Sequence, residues 1–597
     1  MRLPPLPELD WKDDAPFAMA QGDVYFSGDG LSEKKAVFLG GCGLPEAWAG
    51  RELFTIGELG FGTGLNLLAL WEAWRAARPS KTARLEVLSF EGALIRAEDA
   101  ARVHARWPEL DELSRELRAR WPTRARGMQR IALGDGVTLT LAVDDVAAAL
   151  PQARARVDAW FLDGFAPSKN PEMWTADVMR EVARLSAPGV RVASYAVAGA
   201  VRRNLEAAGF AVEKKPGHGR KKERLEAVLR TPEQDPHLIP TALSTAGAAP
   251  PPFGGGRPVD VAIIGAGVAG ACAAHSFLRR GCRVTVYDKA HAGAGASGNP
   301  LALVMPRLDS VDGPGARGLV EAYLHARRFY RELGAEAAVE LAAEHRPRGE
   351  KENLRFAKLM LDPPLDESLL RMEGGNLKHI GAIAVRPAEA LRLLLAGAEM
   401  RLGTDVRSVA EIEADLVVVC AGMGTAGIAG ADAPPLTGRL GQLERAASDG
   451  AAGAVADGGY AVEAFGQLVF GATFEPAEGE PHVSVAARAQ NLETLARLRP
   501  GFAPGELTSR AAIRATTQDR FPFAGRPYNE KAPGGDPAPL SSVRLVGGLG
   551  ARGFLWAPLL AEIVATEVLG EPSPVEASVA ADLDPGRFTR RAIRRGG

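Results

Sequence analysis

The 597-residue chain carries 71 Lys and Arg against 73 Asp and Glu, a net charge of −2, with 46% apolar residues. Such a length exceeds one core and predicts about three or four structural domains, while the near-neutral balance excludes a protein that coats nucleic acid without selection. No run reaches membrane-spanning length and no secretory signal precedes Trp11, so a cytoplasmic protein is expected; Cys42, Cys272, Cys282 and Cys420 lack metal-ligand spacing, so reduced buried thiols and no metal are expected.

Asp23-Val-Tyr-Phe-Ser27 and Ala36-Val-Phe-Leu-Gly-Gly41 are short apolar segments with polar and glycine breaks, which predict a hairpin region over a site. Residues 53–58 then predict a strand ending in Glu58 and running into Gly60-Phe-Gly62-Thr-Gly64, followed by a helix over 65–78. A carboxylate beside the first glycine repels a pyrophosphate but suits a ligand carrying an ammonium or hydroxyls. That points to S-adenosylmethionine rather than NAD.

The next strand, 85–90, ends at Glu91, placed for ribose hydroxyls, and the strand 138–143 leads to Asp144 and Asp145, either of which can accept from an adenine amino group. Each acid alone reads equally as a solvated strand end. Three of them at the C-terminal ends of strands form a pattern, because open α/β sheets bind ligands at that edge. The strand 157–162 stops at Asp163, which opens a loop braced by Pro167 and Pro171. A reactive methyl group is expected to face its acceptor here, with Asp163 as the catalytic candidate and Phe165 and Trp174 as apolar walls. A rigid turn with buried aromatics is the alternative. A strand at 191–195, a helix over 200–208 and strands at 210–213 and 225–229 complete an α/β domain over residues 1–230.

Residues 231–258 shift to Pro, Ala, Gly and Thr and read as a linker. A second domain, 259–597, opens with the strand 261–264, the turn Gly265-Ala-Gly267-Val-Ala-Gly270, a helix over 271–280 and a strand over 284–287 ending at Asp288. This is the dinucleotide fingerprint. Its glycines admit a pyrophosphate to a helix N-terminus, and the acid accepts from the adenosine ribose. A second small-residue loop, Gly293 to Pro300 with Ser297, can pass close to a flavin and its phosphates, so FAD is expected rather than NAD. The nucleotide-binding part is read over 259–310, 405–425 and 515–575, with an antiparallel-sheet substrate part over 311–404 and 426–514. Near the end, the strand from Val543, the turn through Gly550, Arg552 and Gly553, and a helix over 559–568 with Pro558 near its first turn aim N–H groups at the flavin's pyrimidine edge. Arg514 and Arg552 border this region and are the candidates for holding a substrate carboxylate, because a bidentate guanidinium suits it best, though each reads equally as bracing a loop or touching a flavin oxygen. Basic runs at 214–224 and 587–595 read equally as solvated surface or as contacts to a polyanion.

Together, Asp23-Val-Tyr-Phe-Ser27, Gly60-Phe-Gly-Thr-Gly-Leu-Asn66, Asp158-Ala-Trp-Phe-Leu-Asp-Gly-Phe-Ala-Pro167 with Lys169-Asn-Pro171, Gly295-Ala-Ser-Gly-Asn299, and Gly550-Ala-Arg-Gly553 with Ala557-Pro558 resemble the bifunctional tRNA 5-methylaminomethyl-2-thiouridine biosynthesis (MnmC) family. The resemblance implies a Rossmann-like S-adenosylmethionine-dependent methyltransferase fused to a FAD-dependent oxidoreductase of the glycine and sarcosine oxidase type. It also implies a tRNA wobble uridine as their common substrate. In that family the flavin domain removes a carboxymethyl group and the methyltransferase methylates the exposed amine. Asp288 stands where flavoproteins often place Glu, and the linker is long for a rigid coupling. A monomer is expected. An oxidase of free secondary amino acids fused to a small-molecule methyltransferase, indifferent to RNA, is the alternative.

Overall fold

The structure, a computed structural model, describes residues 2–12, 15–26, 28–219, 221–231, 259–430, 433–528 and 542–594. These form two compact units, one from residues 3–252 with Gly570–Ala577, the other from 253–569 and 578–597 with the first two residues. All of the expected linker except Thr231 lies outside the described residues.

The first unit is built on eight strands: β1 (Leu53–Leu59), β2 (Arg84–Glu91), β3 (Gly127–Ala132), β4 (Val137–Val143), β5 (Val157–Leu162), β6 (Ser186–Ser194), β7 (Phe210–Pro216) and β8 (Glu223–Leu229). They lie in the order β7-β8-β6-β5-β1-β2-β4-β3, with the β6-β5-β1-β2-β4 centre parallel and both margins antiparallel. A parallel centre is apolar on both faces, and two clusters show it. Phe54 and Ile56 pack with Leu67, Leu68 and Trp71 of α1 (Leu65–Ala77), while Leu59, Leu88 and Trp160 pack on the other side. Gly57 is required for the Trp160 indole, since a Cβ there would stand 2.4 Å from its ring.

One strand of this unit was not expected, and one expectation is corrected. Strand β3 carries the buried polar residues Gln129 and Arg130, so its sequence lacks apolar alternation. Arg130 is satisfied by a two-pronged pair with Glu86 (2.7 and 3.0 Å) and by Glu571 of the 570–577 segment (2.6 Å), which is how a buried guanidinium becomes tolerable. The hairpin expected over 23–41 fails. Only Asp23–Val24 is a strand, the third of a small antiparallel sheet with Leu9–Lys12 and Ala15–Ala18, whereas Gly30–Lys34 is an α-helix that runs into a π-helical turn at Lys35–Leu39. Val37, Phe38 and Leu39 are all buried, Phe38 5.5 Å from Phe161, and three consecutive buried residues suit a helix end pressed on a sheet rather than an alternating strand.

In the second unit six strands, β9 (Asp260–Ile264), β10 (Arg283–Asp288), β11 (Glu399–Leu402), β12 (Leu416–Val419), β13 (Phe523–Gly525) and β14 (Val543–Gly547), lie in the order β11-β10-β9-β12-β14-β13, parallel except for β13. A separate, mostly antiparallel ten-stranded sheet includes Thr437–Ala447 and Thr508–Thr516, paired so that Arg439 faces Arg514. Helix α2 (Val268–Leu278) and helix α3 (Gly553–Leu569) are tied by Glu562, which is buried against Arg280 (2.8 Å) and Ser276 (2.9 Å). Helix α3 starts six residues before its expected beginning, so Pro558 lies inside it rather than near its first turn.

The basic runs are largely absorbed by the fold. Lys214 pairs with Glu223, Lys215 with Glu213, Lys221 with Glu33 and Arg224 with Glu226, with Arg220 outside the described residues. The second run is a helix, Arg587–Arg594, whose buried Arg587 and whose Arg591 both hold Asp519.

Candidate functional sites

Four adjacent parallel strands, β5, β1, β2 and β4, present their C-terminal ends along one edge, and each delivers an acid there. The backbone that follows encloses a pocket of about 560 Å³ lined by Gly60, Gly62, Asn66, Glu91, Asp145 and Asp163, with Tyr25, Lys34, Phe165 and Tyr195 completing it. Gly60 and Gly62 have positive φ (88° and 52°), and a Cβ on Gly60 would lie 1.9 Å from the Asp163 carbonyl oxygen, so the turn and the Asp163 loop touch only because that residue is glycine. The Glu91 carboxylate accepts from the N–H groups of Gly62 (2.8 Å) and Ala93 (2.9 Å), and burial pushes its pKa up. Asp145 lines the pocket and caps the next helix by accepting from Ala147 N–H (2.9 Å). Its neighbour Asp144 is instead buried on Arg126, so the structure separates the two acids that the sequence left equivalent.

Glu58 is corrected. Expected to touch the ligand, it lies beneath the pocket, 1% exposed, accepting from Asn66 Nδ2 (2.9 Å) and Ser89 Oγ (2.5 Å). Burial raises its pKa to about 8, against the opposing pull of those two hydrogen bonds. Asn66 uses its other N–H on Asp163 Oδ2 (2.8 Å), so Glu58 supports Asp163 through Asn66. The Lys34 ammonium is ion-paired with the same Asp163 oxygen. The Asp163 loop is braced by Asp23, which accepts from Ala166 N–H (3.0 Å), and by the Tyr195 hydroxyl, which donates to the Gly164 carbonyl. Phe165 lines the pocket edge-on to Tyr25 at 5.1 Å, but Trp174 is buried behind the loop, donating to the Phe165 carbonyl (3.1 Å), and is no wall of the site. Lys34, Tyr25 and Tyr195 were missed as site residues. Lys34 carries no sequence signal, whereas Tyr25 lay inside a motif already singled out.

In the second unit the glycine turn has the shape that a pyrophosphate requires. A Cβ on Gly265 would meet the Cys420 carbonyl oxygen at 2.5 Å, and one on Gly270 the Gly265 carbonyl oxygen at 1.8 Å. At the N-terminus of α2, Ser297 Oγ accepts from Val268 N–H (2.9 Å) and stands 3.0 Å from a Cβ placed on Gly267, so the small-residue loop closes over the turn. Both Asp288 oxygens accept backbone N–H groups, from Ala266 and Ala290, each at 2.8 Å. The residues fit FAD: a backbone cradle open only to glycine, a helix N-terminus and a strand-end acid.

The second glycine turn is folded onto the first, since a Cβ on Gly553 would lie 3.3 Å from Val268. Gly550, at φ +54°, donates its N–H to the Ala515 carbonyl (2.9 Å), which brings the strand of Arg514 to the turn of Arg552. Arg514 donates to the Thr473 carbonyl (3.0 Å) and lies across Gly441, where a Cβ would be 2.1 Å from its guanidinium. Burial lowers the pKa of both arginines, and for Arg552 the charges of Arg307, Arg520 and Arg355 add to it. Among the described residues neither has a carboxylate partner. Each is a half-buried cation whose charge an anionic group would compensate.

Residues 108–230 match the S-adenosyl-L-methionine-dependent methyltransferase family model and residues 260–567 the FAD dependent oxidoreductase model. The chain is 39% identical, over 99% of its length and 97% of the relative's, to the tRNA 5-methylaminomethyl-2-thiouridine biosynthesis bifunctional protein MnmC of Maricaulis maris. The chain belongs to the MnmC family. A Caulobacter MnmC is 40% identical over 99% of each chain, and that of Thiobacillus denitrificans 36% over 97% of each. As an MnmC-family member it is an enzyme that combines a methyltransferase using S-adenosylmethionine with an oxidoreductase using FAD. Among the described residues no group of three metal-ligating side chains converges and no helix is long and apolar enough to cross a membrane. All four cysteines are buried free thiols.

Proposed function

We propose that this protein modifies the wobble uridine of tRNA in two steps. Residues 259–597 remove the carboxymethyl group of 5-carboxymethylaminomethyl-(2-thio)uridine to leave 5-aminomethyl-(2-thio)uridine, and residues 1–230 methylate that amine to 5-methylaminomethyl-(2-thio)uridine. The observation that carries this reading is full-length membership of a family whose relatives are named for that product, with two separate sites present.

Bound in the glycine cradle, FAD supplies an acceptor for the hydride on the carbon beside the substrate nitrogen. Arg514 and Arg552 hold the carboxylate of the departing group, which orients that carbon, and hydrolysis of the resulting C=N bond frees the amine. The N–H groups at the start of α3 favour negative charge nearby. In the other pocket Gly60, Gly62, Glu91 and Asp145 hold S-adenosylmethionine, and Asp163 receives the amine. Arg307 and Arg520, exposed beside Arg552 and without carboxylate partners among the described residues, suit the phosphates of an RNA carrying the substrate. The protein acts in the cytoplasm as a monomer.

Mass spectrometry of tRNA nucleosides after incubation with the protein tests this. With FAD and without S-adenosylmethionine the aminomethyl nucleoside accumulates, and adding the methyl donor converts it to the methylaminomethyl form. Oxidation of free glycine or sarcosine with no change in tRNA would defeat the proposal.

A further inference from the structure

We propose that Lys34 neutralises Asp163 so that the acceptor amine docks as the free base, the form able to attack a methyl group. This rests on the reading above that Asp163 receives the amine.

An alkyl amine reaches the pocket from neutral water as an ammonium ion, which has no lone pair. A bare carboxylate would stabilise that unreactive form, because an opposite charge at hydrogen-bond distance favours protonation. Asp163 is not bare. The Lys34 ammonium, itself buried, lies on its Oδ2, and Asn66 Nδ2 donates to the same oxygen at 2.8 Å. An incoming ammonium would therefore meet the Lys34 charge, whereas a neutral amine is not repelled by it and can donate to the acceptors there. One of these is Asn66 Oδ1, which is buried and has no hydrogen-bond partner among the described residues. Both N–H groups of that amide are committed to Glu58 and Asp163, so its orientation is fixed with the oxygen left to accept.

The surrounding charges keep this balance. Glu58, beneath Asn66, is held protonated at neutral pH by burial and adds no second anion. Glu33, next to Lys34, is paired with Lys221, whose ammonium also lies 3.7 Å from the centre of the Tyr195 ring. Burial keeps the Tyr25 and Tyr195 hydroxyls protonated. Glu91 is engaged by the Gly62 and Ala93 amides and Asp23 by that of Ala166, while Asp145 and Glu172 line the same pocket. In the transfer the amine lone pair forms the N–C bond, the C–S bond breaks with its electrons passing to sulfur, and the resulting secondary ammonium releases its proton to water.

The test compares wild type, Lys34→Met and Lys34→Arg as full-length proteins methylating aminomethyl tRNA, with kcat followed against pH, since kcat reports the bound amine. Lys34→Met moves the acidic limb up by at least about one pH unit, roughly a tenfold loss at neutral pH that is recovered in alkali. Lys34→Arg keeps the wild-type limb, and KM for S-adenosylmethionine is unchanged in both. A loss equal at every pH, as a merely structural prop would give, overturns the proposal, as does an unshifted limb. Should Lys34→Met not fold, Lys34→Gln carries the same expectation. Asp163→Asn run alongside separates the two ideas: a normal rate in that variant removes the underlying reading, whatever Lys34 does.

Discussion

Replacing Glu58 by Gln isolates the cost of burying a titratable acid behind the methyltransferase pocket. In the folded protein burial lifts its pKa from an ordinary 4.5 to about 8, so between those values the folded state holds a proton that the unfolded chain has released. Stability contributed by that proton is complete below pH 4.5 and is lost as pH rises to 8, at about 1.4 kcal/mol per pH unit. Wild type therefore loses about 3 kcal/mol between pH 5 and 7 from this residue, and more by pH 8. Glutamine retains an acceptor for Asn66 and offers an N–H to Ser89, and it does not titrate. The variant should match wild type within about 1 kcal/mol at pH 5 and exceed it by several at pH 8. Urea denaturation followed by tryptophan fluorescence measures this unit, because every tryptophan except Trp556 belongs to it. Parallel pH dependences for the two proteins would refute the argument and mean that Glu58 is ionised in the fold.

Gly270→Ala would place a methyl group 1.8 Å from the Gly265 carbonyl oxygen, so the protein should purify without flavin; stoichiometric flavin absorbance would show that the turn does not cradle FAD. Arg514→Ala or Arg552→Ala should keep flavin and methylation but lose about 2–5 kcal/mol of binding to the carboxymethyl substrate, read as a fall in kcat/KM of the oxidase step. Unchanged oxidase kinetics in both variants would move the search to Arg439. Glu562→Ala removes the carboxylate against which Arg280 is buried and should destabilise the flavin unit by about 3–5 kcal/mol, seen as earlier flavin release on heating, while methyl transfer to a separately added aminomethyl tRNA survives at moderate temperature.

Sequence by itself determined the parts of this protein that rest on local rules. A strand followed by closely spaced glycines and a helix is a chain-local unit, so both glycine turns, Gly60 to Gly64 and Gly265 to Gly270, were legible, as were the strand-end positions of Asp163 and Asp288 and most of the order of α and β elements. Tertiary structure decided whatever depended on which strand lies beside which. Glu58 and Glu91 look alike as strand-end acids. Packing put one beneath the pocket and the other in its wall, and it turned Asp145 inward while committing Asp144 to Arg126. The polar strand β3 escaped notice because its buried Arg130 is balanced by Glu86 and Glu571, residues far away in the chain. Lys34 is the clearest case. Nothing in its own neighbourhood marks it, and it acquires a role only because a helix near the N-terminus delivers its ammonium to a carboxylate 129 positions later, a coincidence in space that no periodicity encodes.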